Sequence, residues 1–274
     1  MTATPARALL LALAALIIHA AAPALAAEES CPGLVARRAL PIVPAALAAP
    51  AALAPDEVQL TYVGHSTFLF ETPSGLKVAT DYNDYVRPSV VPDVATMNRA
   101  HSTHYSNRPD PGIGTILRGW NPDGGEAPHW DRQIGDVRVR NVVTNIRQWG
   151  GETTIREGNS IFVFEVADLC IAHLGHLHHT LTPEHLKQLG RIDVVLVPVD
   201  GSYTLDIDGM MEVLTALSPK LMIPMHFFGQ ATLNRFLNRA GDQKWEVVRQ
   251  DGPSVTLSRE TLPTSPRVLA LPGH

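Results

Sequence analysis

Short runs of apolar and β-branched residues, separated by turn-forming residues, occupy most of the chain after residue 57. Runs of this kind, bounded by Gly, Pro, Asn or Asp, are typical of β-strands. Residues 192–197 are almost continuously apolar, which is expected for a strand buried on both faces. The full pattern predicts strands at residues 58–63, 67–71, 76–80, 90–97, 137–143, 161–166, 169–172, 192–197, 221–225, 245–249 and 254–257.

Three helices are predicted among the later strands. Thr182 stands as an N-cap residue before Pro183, and Gly190 ends that segment,. Asp206 or Asp208 can cap a second helix that runs to Leu217, and a third covers residues 230–240. Strands first and then alternating helices and strands predict an α/β fold of layered sheets covered by helices. Residues 118–136 are predicted as a long loop, of the kind that often lines a site.

The residue pattern of the N-terminal region predicts that the protein is exported. Arg7, an apolar stretch and a small-residue site at Ala24 to Ala26 are typical of a signal peptide covering residues 1–26, which implies a periplasmic or secreted protein,. We expect an Ala- and Pro-rich tail or linker at 27–56, one domain at 57–262 and a C-terminal tail at 263–274. A Cys31–Cys170 bond is possible after export, but the apolar surroundings of Cys170 favour a buried free thiol.

Composition excludes several classes of protein. The chain has 22 Lys and Arg against 27 Asp and Glu, and this net charge of -5 disfavours a general nucleic-acid binder,. No apolar run of transmembrane length follows the first thirty residues, so no stable membrane span is expected after signal cleavage,. We expect a small-molecule substrate, and the oligomeric state is left open.

The 12 histidines are the unusual feature of the composition. Several stand just after predicted strands, where loops at one sheet edge converge. These are His65, His101, His104, His173, His176, His178, His179 and His226. Imidazole is the commonest protein ligand for zinc-type metals, and three or four of them make a site. The sequence therefore predicts a histidine-rich metal centre.

Three segments resemble the metallo-β-lactamase fold superfamily. Residues 62–69 (YVGHSTFL), with the turn at Asp81, resemble an opening G-H-S/A-x-x-L strand. Residues 171–179 (IAHLGHLHH) resemble an I-x-H-L-G-D-x-G-H segment, and residues 194–201 and 223–226 resemble later strand ends. The similarity is to the branch of L-ascorbate-6-phosphate lactonase-like and N-acylphosphatidylethanolamine phospholipase D-like hydrolases. It implies a four-layer αββα sandwich.

The chain departs from the ligand set of this superfamily. Where the superfamily has H-x-H-x-D-H, residues 99–104 read RAHSTH, so Arg99 and Thr103 replace a histidine and the aspartate. Residues 144–147, where a further histidine is expected, contain none, and His176 replaces the bridging aspartate. The resemblance leaves four ligands for one divalent ion, with zinc as the first candidate and iron or manganese as alternatives. These are His101, His104, His176 and His226.

Other residues are assigned supporting roles. Asp81 can act as a base or support a metal ligand by hydrogen bonding. Arg99 can hold an anionic substrate group or form a structural salt bridge. Five further residues are expected to surround the ligands: His65, His173, His178, His179 and Asp200.

The resulting hypothesis is an exported metal-dependent hydrolase of a small ester, lactone or phosphodiester with a mononuclear site. The alternative is a non-catalytic metal- or ligand-binding protein on the same fold, because four histidines would occupy every coordination position of a tetrahedral ion. A redox enzyme using iron or manganese is compatible with the site, but no motif points to it. The fold alone does not decide among these functions.

Overall fold

The computed structural model describes residues 52–148 and 153–273, which form two β-sheets and three helices. The first sheet contains β1 (Val58–Gly64), β2 (Thr67–Glu71), β3 (Lys77–Ala79), β4 (Val94–Met97), β5 (Thr115–Arg118) and β13 (Ser254–Leu257). The second contains β6 (Asp131–Ile134), β7 (Val137–Arg147), β8 (Thr154–Val166), β9 (Leu169–His173), β10 (Val194–Pro198), β11 (Leu221–Met225), β12 (Glu246–Arg249) and β14 (Arg267–Ala270). The helices are α1 (Pro183–Leu189), α2 (Ile207–Leu217) and α3 (Gln230–Asp242).

The first sheet has the strand order β13-β1-β2-β3-β4-β5. β1, β2 and β3 form an antiparallel meander, and β3, β4 and β5 are parallel. Gly75 makes the predicted turn between β2 and β3 with a φ of +83°, a conformation that glycine adopts without steric cost,. β1, β3 and β4 therefore run in the same direction and end at the same edge of the sheet.

The second sheet has the strand order β12-β14-β11-β10-β9-β8-β7-β6. β9, β10, β11, β14 and β12 are parallel, whereas β6 to β9 are successive antiparallel neighbours. The parallel strands β9, β10 and β11 are buried along their whole length, which agrees with the continuous apolar run of β10.

Apolar side chains fill the space between the sheets. Leu60 and Phe70 of the first sheet belong to the same core as Phe164 and Leu196 of the second. The other face of the second sheet packs against all three helices through residues such as Phe236. The sandwich of two sheets with helices outside is therefore confirmed. A smaller cluster on the outer face of the first sheet contains Met97 and Trp120.

Several predicted boundaries are wrong. The strand predicted from residue 90 begins at Val94, because Pro92 has no N–H to donate to a ladder,. The loop predicted at 118–136 contains β6, which pairs with β7. Part of the expected C-terminal tail is β14, which lies between β11 and β12 because its buried positions extend the apolar core.

The predicted signal peptide and the part of the predicted tail up to residue 51 lie outside the described residues, as does Cys31. Cys170 is fully buried and forms a disulfide, so the expectation of a free thiol is wrong. In the part of the chain that is described, no helix combines the length and the apolar character needed to cross a bilayer.

Candidate metal centre

Five histidines from four strand ends form one cluster. His65 follows β1, His101 and His104 follow β4, His176 follows β9 and His226 follows β11. The ring centroids lie 4.1 Å apart for His65 and His226, 4.5 Å for His101 and His104, and 4.8 Å for His176 and both His101 and His226. We call these residues the five-histidine cluster. All of these strands end at one edge of the sandwich, which brings residues far apart in sequence together.

Four members of the cluster form one compact group of nitrogens. One ring nitrogen from each of His65, His101, His104 and His226 lies within 4.8 Å of the others. Two nitrogens bound to one zinc ion at about 2.0–2.1 Å can be at most about 4.2 Å apart, so small side-chain movements bring the group to coordination distance. His65, expected to support the ligands, belongs to this group; His176, expected to be a ligand, is not a member, but its Nε2 lies 3.0 Å from Nε2 of His101.

Two aspartates orient two of these histidines. Asp81 Oδ2 lies 2.5 Å from His104 Nδ1, and Asp200 Oδ1 lies 3.0 Å from His226 Nδ1. A carboxylate at Nδ1 keeps the proton there and leaves the lone pair of Nε2 available. Among the described residues, no hydrogen-bond partner reaches the buried Nε2 of His104 or His226.

The backbone and neighbouring side chains hold both carboxylates. Asp81 is fully buried, has a φ of +42° and accepts a hydrogen bond from Asn98 Nδ2 at 3.0 Å. Asp200 Oδ2 accepts backbone N–H bonds from Ser202 (2.9 Å) and Tyr203 (2.5 Å) in the loop that follows β10. Both carboxylates point at histidine Nδ1 atoms, which matches the supporting one of the two roles expected for Asp81.

Two members of the cluster have left-handed backbone conformations. His65 has a φ of +49° and His226 a φ of +55°. The carbonyl of His65 accepts hydrogen bonds from the N–H of His226 (2.6 Å) and from the Tyr62 hydroxyl (2.8 Å). Such conformations persist only where the surroundings enforce them, and they are common at functional sites.

Burial favours the neutral form of His65, His104 and His176. Burial and the neighbouring His226 and His101 lower the pKa of His65 to about 3, and burial lowers the pKa of His104 and of His176 well below the usual value. Burial raises the pKa of Asp200, but hydrogen bonds from His226 and Thr204 outweigh it and leave this pKa below its ordinary value. Neutral imidazole is the form that binds metal ions.

Burial outweighs the neighbouring polar groups at Asp81. It raises the pKa of this carboxyl, while the neighbouring His173 and the hydrogen bond from Asn98 lower it. The ionised form of Asp81 is therefore stabilised by its buried neighbours His173 and Asn98.

Thr103, which stands where the superfamily has an aspartate, bridges two histidines. Its hydroxyl lies 2.7 Å from His101 Nδ1 and 2.9 Å from His65 Nε2. A hydroxyl can accept from one nitrogen and donate to the other, so Thr103 fixes the relative orientation of both rings.

The remaining predicted supporting histidines hold backbone groups. His173 is fully buried, and its Nε2 contacts the carbonyl of Ser66 at 2.8 Å. His179 Nε2 accepts the N–H of Asn145 at 3.1 Å. His178 contacts His176 directly. His173 and His179 thus position backbone around the cluster, and only His178 touches one of its rings among the three.

Gly175 is required by the geometry of the loop between β9 and His176. It has a φ of +60°, and a Cβ there would lie 2.4 Å from Asn159 Oδ1 and 2.6 Å from Asn98 Nδ2. Asn159 Oδ1 accepts the N–H of His176 at 2.8 Å. Asn98 and Asn159 therefore pack directly against the backbone of Gly175, and the hydrogen bond to Asn159 positions His176.

A cavity of about 590 Å³ opens beside the cluster. Its lining includes His101 and His176 at one end, and Arg147, Tyr203 and Phe228. Arg99 is exposed and is outside the lining given by the described residues. The guanidinium at the cavity is therefore that of Arg147, which sequence reasoning missed because its position at the end of β7 carries no motif.

The donor set fits a metal ion. Two buried nitrogens without partners, each made available by an aspartate on the opposite side of its ring, need a cation or a proton to satisfy them,. Imidazole nitrogens suit zinc, iron and related metals. The fold and this cluster define a two-sheet sandwich with a histidine-rich candidate metal site at one edge.

A family profile described as "Beta-lactamase superfamily domain" matches residues 59–226, which is most of the described sandwich. The chain belongs to this superfamily. The match covers β1 to β11 and ends at His226, so it contains every member of the five-histidine cluster.

Relatives and solved structures agree with this assignment. The chain is 24% identical over 185 residues to a UPF0173 metal-dependent hydrolase of Nanoarchaeum equitans (62% of this chain, 84% of the relative). It is 26% identical over 195 residues to a UPF0173 metal-dependent hydrolase of Archaeoglobus fulgidus (62% and 83%). A metallo-beta-lactamase superfamily protein of Thermotoga maritima has a TM-score of 0.58 at 26% identity, covering 78% of this chain and 98% of its own.

Proposed function

We propose that the protein is a metal-dependent hydrolase with one zinc ion held by His65, His101, His104 and His226. The observation that carries the proposal is the pair of buried, unpartnered Nε2 atoms of His104 and His226 inside the group of four histidines. The relatives of Nanoarchaeum equitans and Archaeoglobus fulgidus, both named metal-dependent hydrolases, support it. Iron or manganese would use the same nitrogens.

One ion fits the cluster better than two. The group of neighbouring ligand atoms consists of histidine nitrogens alone. The two nearby carboxylates, of Asp81 and Asp200, are committed to Nδ1 atoms on the far sides of the rings. A second ion would need a bridging carboxylate, and His176 occupies the position where the superfamily has one.

The proposed substrate is a small ester, lactone or phosphodiester. A cavity of about 590 Å³ lies within the range of about 300–1,000 Å³ that suits a small ligand,. Tyr203 and Phe228 offer ring surface to its apolar part, and the Arg147 guanidinium matches a carboxylate or phosphate oxygen,. This chemistry is compatible with the ascorbate-phosphate lactonase-like and phospholipase D-like branch.

The chain's own residues prepare the site for hydrolysis. An ion held by these four histidines would need a fifth coordination position, and with water bound there it would supply a hydroxide nucleophile at about neutral pH. Asp81 and Asp200 keep the Nε2 lone pairs of their histidines pointing at the centre. Thr103 orients His65 and His101, and burial excludes competing water from His104 and His226, both fully buried.

A second candidate function rests on the same group. Four histidines can fill all positions of a tetrahedral zinc ion, which is the arrangement of a structural or binding site,. In that case the protein would hold the ion, or a ligand through it, without turnover.

Metal content and turnover separate the two candidates. Protein purified without added metal is expected to contain about one ion per chain and to hydrolyse one member of a panel of esters, lactones and phosphodiesters. His226→Ala should lose both properties, whereas His129→Ala, whose side chain is 68% exposed, should keep both. Stoichiometric metal without any turnover would favour the binding protein, and folded wild-type protein that takes up no metal contradicts both.

We also propose export to a periplasmic or secreted location. Residues 1–26 have the pattern of a signal peptide, and the disulfide of Cys170 suits an oxidising compartment,. N-terminal sequencing of the protein from a fractionated expression host should find it outside the cytoplasm and beginning at Ala27. Full-length protein confined to the cytoplasm contradicts this.

A further inference from the structure

Arg147 brings a permanent positive charge to the cavity beside the five-histidine cluster. The described lining of this cavity contains no carboxylate and no other arginine or lysine. Among the described residues, no acidic group lies within ion-pair distance of the Arg147 guanidinium, whereas Arg138 and Arg140 of the same strand share Glu165. A guanidinium is not deprotonated in proteins, so the cavity presents a cation without a counter-ion.

The loop that follows β10 holds this guanidinium in one orientation. Arg147 Nη2 donates to the carbonyls of Thr204 (2.7 Å) and Ser202 (3.2 Å), and Nε lies 3.3 Å from His178 Nδ1. No described residue contacts Nη1, and the side chain is exposed. Asp200 lies in the same loop, but it accepts the loop's own N–H groups and does not line the cavity. A guanidinium held in this way loses little freedom when it binds an anion.

An anion on Arg147 is separate from a group that reacts at the cluster. Arg147 contacts His178, and His178 contacts His176. His176 Nε2 lies 3.0 Å from Nε2 of His101. Two imidazole rings therefore lie along the contacts between the guanidinium and His101. The reacting group of a substrate and the group that pairs with Arg147 are then two different parts of one molecule.

Two exposed aromatic rings line the same cavity. Tyr203 is 47% exposed and Phe228 is 60% exposed, and their ring centroids lie 5.4 Å apart. The Phe228 ring also lies 5.6 Å from that of His226, so this apolar surface begins beside the cluster. Exposed aromatic side chains around a cavity provide a surface on which the apolar part of a ligand can be buried.

We propose that the substrate is an ester or lactone with an apolar body and a free carboxylate, and that Arg147 selects it by pairing with the carboxylate. A carboxylate carries one negative charge and matches the guanidinium in shape. A phosphate monoester carries nearly two charges, and the lining offers one permanent cation,. A phosphodiester whose only anionic group is the reacting one would leave Arg147 unpaired. This inference rests on the proposed function and narrows its substrate class.

Ligand binding tests the pairing without turnover. Phenylbutanoate and its uncharged amide, phenylbutanamide, are titrated by calorimetry into chelator-treated protein, so that the carboxylate has no ion to bind. We expect the wild type to bind the carboxylate about tenfold more tightly than the amide, the effect of one hydrogen-bonded charge. Arg147→Gln should bind the two probes alike. Arg132→Gln, at an exposed position of β6, is the matched control and should keep the wild-type preference.

A purely structural role for Arg147 gives a different result. If the guanidinium only held the loop through Ser202 and Thr204, Arg147→Gln would weaken both probes by the same factor and the preference would survive. Arg147→Lys keeps the charge and should keep part of the preference, with melting curves confirming that both variants fold. A preference that survives in Arg147→Gln overturns the proposal, as does a wild type that binds both probes equally or binds neither.

Turnover of a matched pair of esters tests the selection in the zinc-loaded protein. The para-nitrophenyl half-ester of adipic acid and para-nitrophenyl hexanoate have acyl chains of equal length, and only the first ends in a carboxylate. We expect kcat/KM to be about tenfold higher for the half-ester in the wild type, and Arg147→Gln to remove this preference mainly through KM. Equal kcat/KM for the two esters contradicts the proposed selection. If neither ester is hydrolysed, the proposed function loses support, and the binding comparison still decides whether Arg147 holds a carboxylate.

Discussion

The side chains of Asp81 and Asp200 set the chemistry of two histidines without entering the group of ligand nitrogens. Each contacts an Nδ1 atom, and each is itself held by hydrogen bonds from a neighbouring loop. Both were candidates from the sequence, Asp81 at the turn that resembles the superfamily's opening segment and Asp200 within residues 194–201, which resemble a later strand end. Their partners could not be predicted, because the pairing depends on left-handed backbone at Asp81 and His226 that no motif announces.

Removing one of these carboxylates tests their role. Asp200→Asn should weaken zinc affinity about 10- to 100-fold, because Nδ1 of His226 loses its charged acceptor,. The measurement is a chelator competition titration at pH 7.5, alongside a melting curve that confirms folding. Asp251→Asn, at an exposed position, is the matched control. Folded Asp200→Asn with wild-type Kd would mean that the aspartate does not orient the ligand.

At the scale of elements, parallel strands that end at one edge build the site. β4, β9 and β11 were predicted from their apolar runs, and the histidines that follow them were correctly expected to converge. β5, β6 and β14 were missed. β6 has three exposed positions out of four, and β14 follows a proline-rich stretch, so their pairing partners decide their structure more than their own patterns do,.

A buried ion-pair network joins β7 and β8 to α1. Glu165 of β8 accepts Arg138 Nη1 at 3.0 Å and Arg140 Nε at 2.7 Å. Arg140 also donates to the carbonyls of Gln188 (2.9 Å) and Leu189 (2.7 Å) at the end of α1. The network fixes α1, and with it the chain that returns from the histidine segment to β10.

Neutralising Glu165 should destabilise the protein. Glu165→Gln leaves two guanidinium groups of β7 without their shared charge, and we expect the free energy of unfolding to fall by about 3 kcal/mol. Denaturant titration of the metal-free protein measures this. The control is Glu246→Gln, which removes an ion pair with Arg267 at a side chain 49% exposed and should cost less than about 1 kcal/mol,. Equal losses for the two variants would contradict a structural role for the buried network.

At the scale of the whole molecule, the sandwich and the convergence of histidines at one of its edges were predictable. Which histidines lie closest together was not. Sequence reasoning placed His176 among the ligands and His65 behind them, because the superfamily motif has a ligand where His176 stands. In the structure His65 belongs to the group of four neighbouring nitrogens, and His176 Nε2 lies 3.0 Å from Nε2 of His101. His176 contacts His178, which accepts the backbone N–H of Arg147 from 31 residues away, and this contact follows only from the packing of β7 beside the histidine loop.

The same concentration of buried imidazoles makes the stability of the metal-free protein depend on pH. Burial is the main cause that lowers the pKa of His65 to about 3 and of His178 to about 4, and it lowers the pKa of His104, His173 and His176 as well. In the unfolded chain these groups titrate near about 6.5. Above that pH both states are neutral and the contribution to stability is complete. As the pH falls below it, the unfolded chain binds protons that the folded protein does not, so the free energy of unfolding decreases.

The expected loss begins near pH 6.5 and continues toward pH 4 and below. Each net proton lowers the free energy of unfolding by about 1.4 kcal/mol per pH unit, so we expect at least that slope between pH 6.5 and 5. The raised pKa of Asp81 acts in the opposite direction, but it is one group against several histidines. Urea titrations of the metal-free protein at pH 7.5, 6.5, 5.5 and 5 measure the slope. His178→Phe should reduce it and exposed His129→Gln should not, and a flat profile across this range would show that the cluster is open to water in the folded protein.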